Sequence, residues 1–370
     1  MPLTEIHTEA FRNLRDGRLT LSPQINLIYG SNGSGKTSLL EAIHYLGLGR
    51  SFRTHKHEMV VNHGRDQLTV SGKVEQDGRN SHSGSHRIGM SRNVRDRSTV
   101  LKVDGERVKS LSSLAQHLPV SVIDPGAFDI VTGSPANRRQ FLDWGVFHVE
   151  HSFAALWQQL QKALIQRNKI LRNGRMEPAL MRVWNARYVE LAEAVTARRQ
   201  TCFEALEPII QELLQQAGCD WGAQLTLSFS RGWDRQRSLS DLVESQIEQE
   251  LKVGHTLYGP NRADIRLRIA QKPAAEVLSR GQQKTLVVLL KLAQGRLLEH
   301  QTHRKCAFLL DDINAELDES NQRLLAHHLL ELGSQVFVTS IEKPDPSRLW
   351  GTSHPDLKMF HVEHGELSEQ

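Results

Sequence analysis

The chain has 370 residues, 39% of them hydrophobic and 24% charged, with a net charge of +4 and a pI near 9.0. That length can bury one large core and two lobes, and the composition is that of an ordinary soluble globular protein. The longest apolar run, 286–292, is interrupted by Lys291 and is too short for a bilayer. The opening MPLTEIHTEAFRNLR has no basic start followed by an apolar block. Neither a membrane partnership nor a secretory leader is therefore expected. Cys202, Cys219 and Cys306 are scattered and show no paired spacing. They predict reduced thiols in a cytoplasmic protein rather than a disulfide framework or a zinc site. The basic balance permits nucleic-acid binding without requiring it.

In chain order, strands are expected at 3–11, 19–21 and 25–29, then a helix from Thr37 with Leu39, Leu40, Ile43 and Leu46 at helical spacing. Residues 67–104 have the texture of β-hairpins around a polar segment, 76–98, which is read as a solvated loop. From about Ala136 to Ala217 the texture becomes long helices. Trp184, Tyr188, Leu191, Val195 and Cys202 mark one packed face there, and Gly174 and Pro178 divide the region into an antiparallel pair. A strand at 225–229, a polar helix near 238–251 and a strand at 265–269 follow, and an α/β pattern runs to the end. The expected organisation is an α/β domain (1–125 and 255–370) split by a mostly helical insertion (126–254). The pentapeptide FHVEH occurs at 147–151 and again at 360–364. Its histidine spacing suits one helix face only, and the second copy has strand texture, so it is read as chance.

The segment Gly30-Ser31-Asn32-Gly33-Ser34-Gly35-Lys36-Thr37 matches the phosphate-loop pattern in full, between an apolar strand and a helix. Its glycines let backbone N–H groups turn toward phosphate oxygens, and the following helix start favours an anion. Lys36 is expected to reach the β- and γ-phosphates of ATP, and Thr37 to hold Mg²⁺. Phosphoryl chemistry also needs a metal-holding carboxylate on a nearby strand. Residues 306–310 form a short apolar run ending in Asp311 and Asp312. Asp311 is the candidate metal ligand, and Asp312 the candidate base for the attacking water. Upstream, Leu278-Ser279-Arg280-Gly281-Gln282-Gln283-Lys284 opens a strongly apolar helix, with Ser279 suited to its N-cap. This is a second helix start able to hold phosphate.

Taken together, the three elements resemble an ABC-type ATPase. LSRGQ resembles the ABC signature, Asp311-Asp312 the B motif, Ala315-Glu316-Leu317-Asp318 the D-loop and 335–340 the last core strand. Thr339 stands near where many ABC proteins carry histidine. The fold class implied is α/β: an ABC-type P-loop ATPase head with a mixed sheet and flanking helices, split by a mostly helical lobe. In such proteins Ser279, Arg280, Gly281 and Gln282 act in trans. The resemblance therefore implies an ATP-dependent homodimer with nucleotide between two copies.

Finer features resemble the RecF family. They are Phe11-Arg12-Asn13-Leu14, with Arg12 and Asn13 as further ATP-binding candidates; Gly49-Arg50-Ser51-Phe52-Arg53-Thr54; Pro135 with Arg138-Arg139 and Phe141-Leu142-Asp143-Trp144; and Gly259-Pro260-Asn261-Arg262-Ala263-Asp264. Three departures stand out. Asn261 replaces the usual His, segment 124–128 lacks its usual acid, and Asp312 is shorter than Glu at the base position. The resemblance implies a slow ATPase that binds DNA at gaps and acts with RecR and RecO in placing RecA. It also implies support of the SOS response and DNA replication. Candidate DNA contacts are Arg138, Arg139, Arg167, Lys169, Arg172 and Arg175, as salt-sensitive phosphate contacts. The alternatives are the nucleotide-binding subunit of a membrane transporter, which the long insertion and Arg280 oppose, and a small-molecule P-loop kinase, which would not need Ser279 or Gln282.

Overall fold

The structure is a computed structural model and describes residues 2–75, 84–150, 152–173, 177–351 and 356–370. Its elements begin with β1 (Leu3–Glu9), β2 (Gly17–Thr20), β3 (Ile25–Tyr29), α1 (Lys36–Leu48), β4 (Gln67–Glu75), β5 (Ser85–Asn93), β6 (Thr99–Val103), β7 (Glu106–Val108), α2 (Leu111–Ala115) and β8 (Val120–Ile123). Then come α3 (Asp129–Thr132), α4 (Pro135–Val149), α5 (Phe153–Asn173), α6 (Pro178–Gln216), β9 (Leu225–Ser230), α7 (Leu239–Ser245), α8 (Ile247–Val253), β10 (Asp264–Ile269), β11 (Lys272–Pro273) and α9 (Ala274–Val277). The chain closes with α10 (Arg280–Thr302), β12 (Ala307–Leu310), α11 (Ile313–Glu316), α12 (Glu319–Glu331), β13 (Val336–Ser340), α13 (Ser347–Trp350), β14 (Leu357–Glu363) and β15 (Glu366–Glu369). The two FHVEH copies fall at the end of α4 and in β14, and His151 lies outside the described residues.

Two units divide the chain: Met1–Phe128 with Arg280–Gln370, and Asp129–Ser279. The first unit holds two six-stranded sheets, ordered β2-β1-β4-β5-β6-β7 and β15-β14-β3-β13-β12-β8. In the second of these, β14, β3, β13, β12 and β8 run parallel. Strands β12 and β8 are buried along their whole length, as parallel strands covered on both faces are. Helix α1 is buried at every position from Ser38 to Gly47, so it has no exposed face, and its polar Ser38, Glu41 and His44 are covered as well. Its side chains share one apolar core with Val70, Val74 and Ile88 of the antiparallel sheet and Ile28, Leu309 and Phe337 of the parallel one. Each fully buried aliphatic side chain there contributes about 1.5–3 kcal/mol.

The polar segment read from sequence as a loop is strand β5 over Ser85–Asn93, paired with β4 along its length; residues 76–83 lie outside the described residues. Ile88 and Met90 point into the core while Arg87, Gly89 and Ser91 face outward. The inward side is short enough that polar neighbours mask its period of two. The expected polar helix near 238–251 is two short helices, α7 and α8, which meet at Gln246.

In the second unit, α5 and α6 run in opposite directions. Arg199 of α6 lies over the Trp157 ring, and Arg167 of α5 bonds Asn185. Tyr188, Leu191, Val195 and Cys202 are buried on the shared face. Gly174 and Arg175 lie outside the described residues. The return to the first unit comes at Arg280, not at 255. Residues 255–279 belong to the second unit because β10 pairs with β9 from Asp264 to Ile269 and with β11.

Candidate functional site

Strand β3 lies between β14 and β13 and ends at Tyr29, where the phosphate loop begins. Its turn relies on positive φ angles at Gly30 (153°), Gly33 (78°) and Gly35 (125°). Gly30 is also confined by space: a Cβ there would lie 2.3 Å from the Val362 carbonyl oxygen. The Lys36 ammonium donates to the carbonyls of Gly30 (2.7 Å) and Ser31 (2.9 Å), inside the curve of the loop. Burial pushes Lys36 below the ordinary lysine range, and the charges of Asp312 and Asp311 oppose that fall. Ser34 Oγ is buried and has no hydrogen-bond partner. A buried orphan hydroxyl beside positive-φ glycines and a lysine is the donor set that a polyphosphate would satisfy.

The carboxylates arrive from β12, two strands away across β13. Asp311 Oδ1 accepts from Thr37 Oγ1 and from Thr339 Oγ1, each at 2.9 Å. Thr339, at the end of the intervening β13, also accepts from the Asp312 N–H at 2.8 Å. Asp312 has a left-handed backbone, φ 48°, a region that few non-glycine residues adopt and aspartate enters more readily than most. Thr37 at the start of α1, Thr339 near the end of β13 and Asp311 just after β12 thus bring their oxygens into one line, at the crevice where open α/β sheets take their ligands.

Around them is a cleft of ≈ 550 Å³ that includes Asn32, Lys36, Thr37, Asp311, Asp312 and Thr339, a size suited to a nucleotide. Arg12 and Asn13 line it as well. Asn13 braces the loop from the side, donating to Gly33 O (2.9 Å) and accepting from Ser38 Oγ (2.7 Å). Arg12 is held by Glu41 through two hydrogen bonds of 2.9 and 2.7 Å.

Glu41 is a residue that sequence reading missed. It is fully buried on α1, also accepts from Ser51, and lies 3.6 Å from Arg53. Nothing in a lone helical glutamate marked it; the arginines it gathers come from separate segments. Arg53, Asn62 and His63 of the same cleft were equally unassigned. Asn62 is fixed by donating to the Arg12 carbonyl at 2.6 Å.

The signature segment lies across the junction of the two units, between Ser279 and Arg280, and α10 starts at Arg280. In the second unit, the arginines expected to meet DNA divide. Arg167 is fully buried, ion-paired with Glu250, and donates to Asn185 (2.8 Å) and Thr256 (2.6 Å). Arg138 pairs with Asp264 at 2.7 Å, and Arg139 donates to Ala263 O at 2.8 Å. Arg167 is thus committed inside the protein, which removes it as a phosphate contact, while Arg138 and Arg139 are half-buried and engaged in internal bonds. The family-like segments around Arg138 and Asp264 are instead internal cross-links. Asp143 of the first segment pairs with buried Arg199, which also donates to Pro260 O of the second. Lys169 and Arg172 are exposed on α5.

Comparison with known proteins places this geometry. The profile of the RecF/RecN/SMC N terminal domain family matches residues 2–358. A DNA replication and repair protein RecF of Marinobacter nauticus is 53% identical, with 100% of both chains covered. A namesake from Pseudomonas paraeruginosa is 43% identical, covering 100% of this chain and 98% of its own. A solved structure of the recombination mediator protein RecF with ATP, in the RecFOR pathway, superposes with a TM-score of 0.88 at 26% identity, covering 100% of this chain and 97% of that one. An Smc head, at 15% identity and a TM-score of 0.57, shares the fold. The relatives favour a repair protein over the transporter-subunit alternative. Among the described residues no helix is long and apolar enough to cross a membrane. With a family match over nearly the whole sequence and relatives at 43% and 53% identity, the chain belongs to the RecF family of ABC-type, SMC-like ATPases.

Proposed function

We propose that this protein is an ATP-switched DNA-binding component of recombinational repair. Two copies close on DNA when ATP is bound, and slow hydrolysis releases them. The observation that carries the reading is the meeting of Lys36, Thr37, Asp311 and Asp312 in one cleft, with Thr37 and Asp311 already 2.9 Å apart. Lys36 exchanges its bonds to the loop carbonyls for the β- and γ-phosphate oxygens, and Ser34 supplies a further donor. Thr37 and Asp311 would hold Mg²⁺, which when bound neutralises phosphate charge. Asp312 takes a proton from the attacking water. Its side chain is one carbon shorter than glutamate, which supports a slow turnover.

Ser279, Arg280, Gly281 and Gln282 complete the partner's nucleotide site, so the γ-phosphate joins the copies and its loss parts them. The DNA held is gapped, single- or double-stranded, and exposed Lys169 and Arg172 contribute phosphate contacts. RecR, with RecO, links the clamp to RecA loading, and through it to the SOS response and to replication.

Light scattering with saturating ATP tests the core of this reading. The unsubstituted chain should double in mass, and Lys36→Ala should stay monomeric. A nucleotide-driven dimer in Lys36→Ala would overturn it.

A further inference from the structure

We propose that Lys284 is a positioning residue that clasps the signature helix α10 to the segment following Asp312, so that the state of a copy's own nucleotide cleft sets how that copy offers its signature to the other. The inference rests on the two-copy reading above and adds to it a route inside one copy.

Three contacts converge on the Lys284 ammonium. It donates to the Glu316 carbonyl, which closes the single turn of α11. It lies 3.4 Å from the Glu316 carboxylate. It stands 5.4 Å from the centroid of the Phe128 ring, at the last residue before the chain leaves this unit. A cation at a helix C-terminus, paired with a carboxylate and an aromatic face, is held from three sides. One residue on, Thr285 Oγ1 donates to Asn321 Oδ1 at 2.7 Å, and Asn321 is fixed in turn by Asp318 at 2.9 Å. The second turn of α10 is thus bonded to both ends of segment 316–321.

That segment is short-wired to the cleft. Ala315 N–H bonds the Asp312 carbonyl at 3.0 Å, Leu317 N–H bonds Ile313 O at 2.8 Å, and Asp312 itself hangs on Thr339. The left-handed backbone at Asp312 leaves little freedom between the carboxylate and α11. A shift of Asp311 and Asp312 on nucleotide binding therefore moves the Glu316 carbonyl, and Lys284 carries that shift to α10. Lys284 does not line the cleft, so its removal should spare ATP binding and affect closure.

The test compares the full-length chain with Lys284→Met and Lys284→Arg. A fluorescent ATP analogue, titrated at dilution where the chain is monomeric, reads cleft affinity. Sedimentation at saturating ATP reads the dimer constant, and steady-state turnover reads kcat. Lys284→Met should keep analogue affinity within about twofold, weaken the dimer about tenfold and lower kcat in step, the loss expected for one charge-assisted bond. Lys284→Arg, which keeps the charge and the donors, should recover most of both. Equal dimerisation of Lys284→Met and the unsubstituted chain would sink the clasp alone, as would equal damage from Met and Arg. No ATP-driven dimer in the unsubstituted chain would sink the two-copy reading and this inference with it. Should Lys284→Met not fold, Phe128→Leu keeps the apolar bulk and removes the ring face. It should weaken the dimer about threefold at unchanged analogue affinity, and an unchanged dimer constant would refute the clasp.

Discussion

His44 shows how a residue remote from phosphate chemistry shapes the behaviour of the head. It is buried on α1, with Nδ1 2.7 Å from the Arg50 carbonyl, so the neutral ring donates there. Burial pushes its pKa down from 6.5 to about 4; the nearby charges of Arg50 and Lys291 add to the fall, and the Arg50 hydrogen bond opposes it. The unfolded chain then takes up a proton that the fold refuses as pH drops below about 6.5. Unfolded protein binds more protons over that window, so stability rises with pH and is lost on acidification from about 6.5 toward 4. The amount is about 3 kcal/mol for a shift of this size. Thermal unfolding across that range should show the fall, and His44→Gln should flatten it. A mutant profile parallel to the unsubstituted one would assign the slope to other groups. Sequence pattern placed His44 on a helix, but a histidine on an apolar face carries no mark of what will cover it.

Among the elements of the second unit, α5, α6 and α8 are joined through Arg167. Its guanidinium reaches Asn185 on α6 and Glu250 on α8, and lies 5.5 Å from the Tyr188 ring centroid. Both charges of the pair are fully buried. Removing one leaves the other uncompensated, at a cost of about 3–5 kcal/mol. Arg167→Met should therefore lower the urea midpoint by about 3 kcal/mol of stability or more, with DNA affinity of the folded fraction within about twofold. Weakened DNA binding at unchanged stability would return Arg167 to the surface role that sequence suggested. The error has a plain cause. Arg167, Lys169 and Arg172 look alike in a basic run, and only the helix phase against α6 and α8 decides that the first turns inward. Strand β5 was missed for a related reason, because its two inward residues are separated by Gly89 and flanked by arginine and serine.

For the whole molecule, DNA capture is expected to be governed by phosphate contacts, hence by salt. Fluorescence anisotropy on gapped, single- and double-stranded oligonucleotides with ATP should give an affinity that falls linearly with log salt. Replacing Lys169 and Arg172 together by alanine should make the slope shallower by about 1 per residue, with little change in sequence preference. An unaltered slope would move the contact surface elsewhere on the protein.

By itself, the sequence picked out the phosphate-loop residues and the acidic pair that the structure brings into one cleft. The phosphate loop, the acidic pair after an apolar strand and the signature segment are local patterns, each dictated by a short stretch of backbone that must wrap, end or begin in one way. Tertiary structure alone decided which charges are free. Glu41 gathers Arg12 from one segment and Ser51 and Arg53 from another, Asp143 and Asp264 bind Arg199 and Arg138, and residues 255–279 join the second unit through β9. Those outcomes depend on partners far away in the chain. Burying an ionic group costs so much unless it is paired that the fold, and not the local pattern, sets where each one ends.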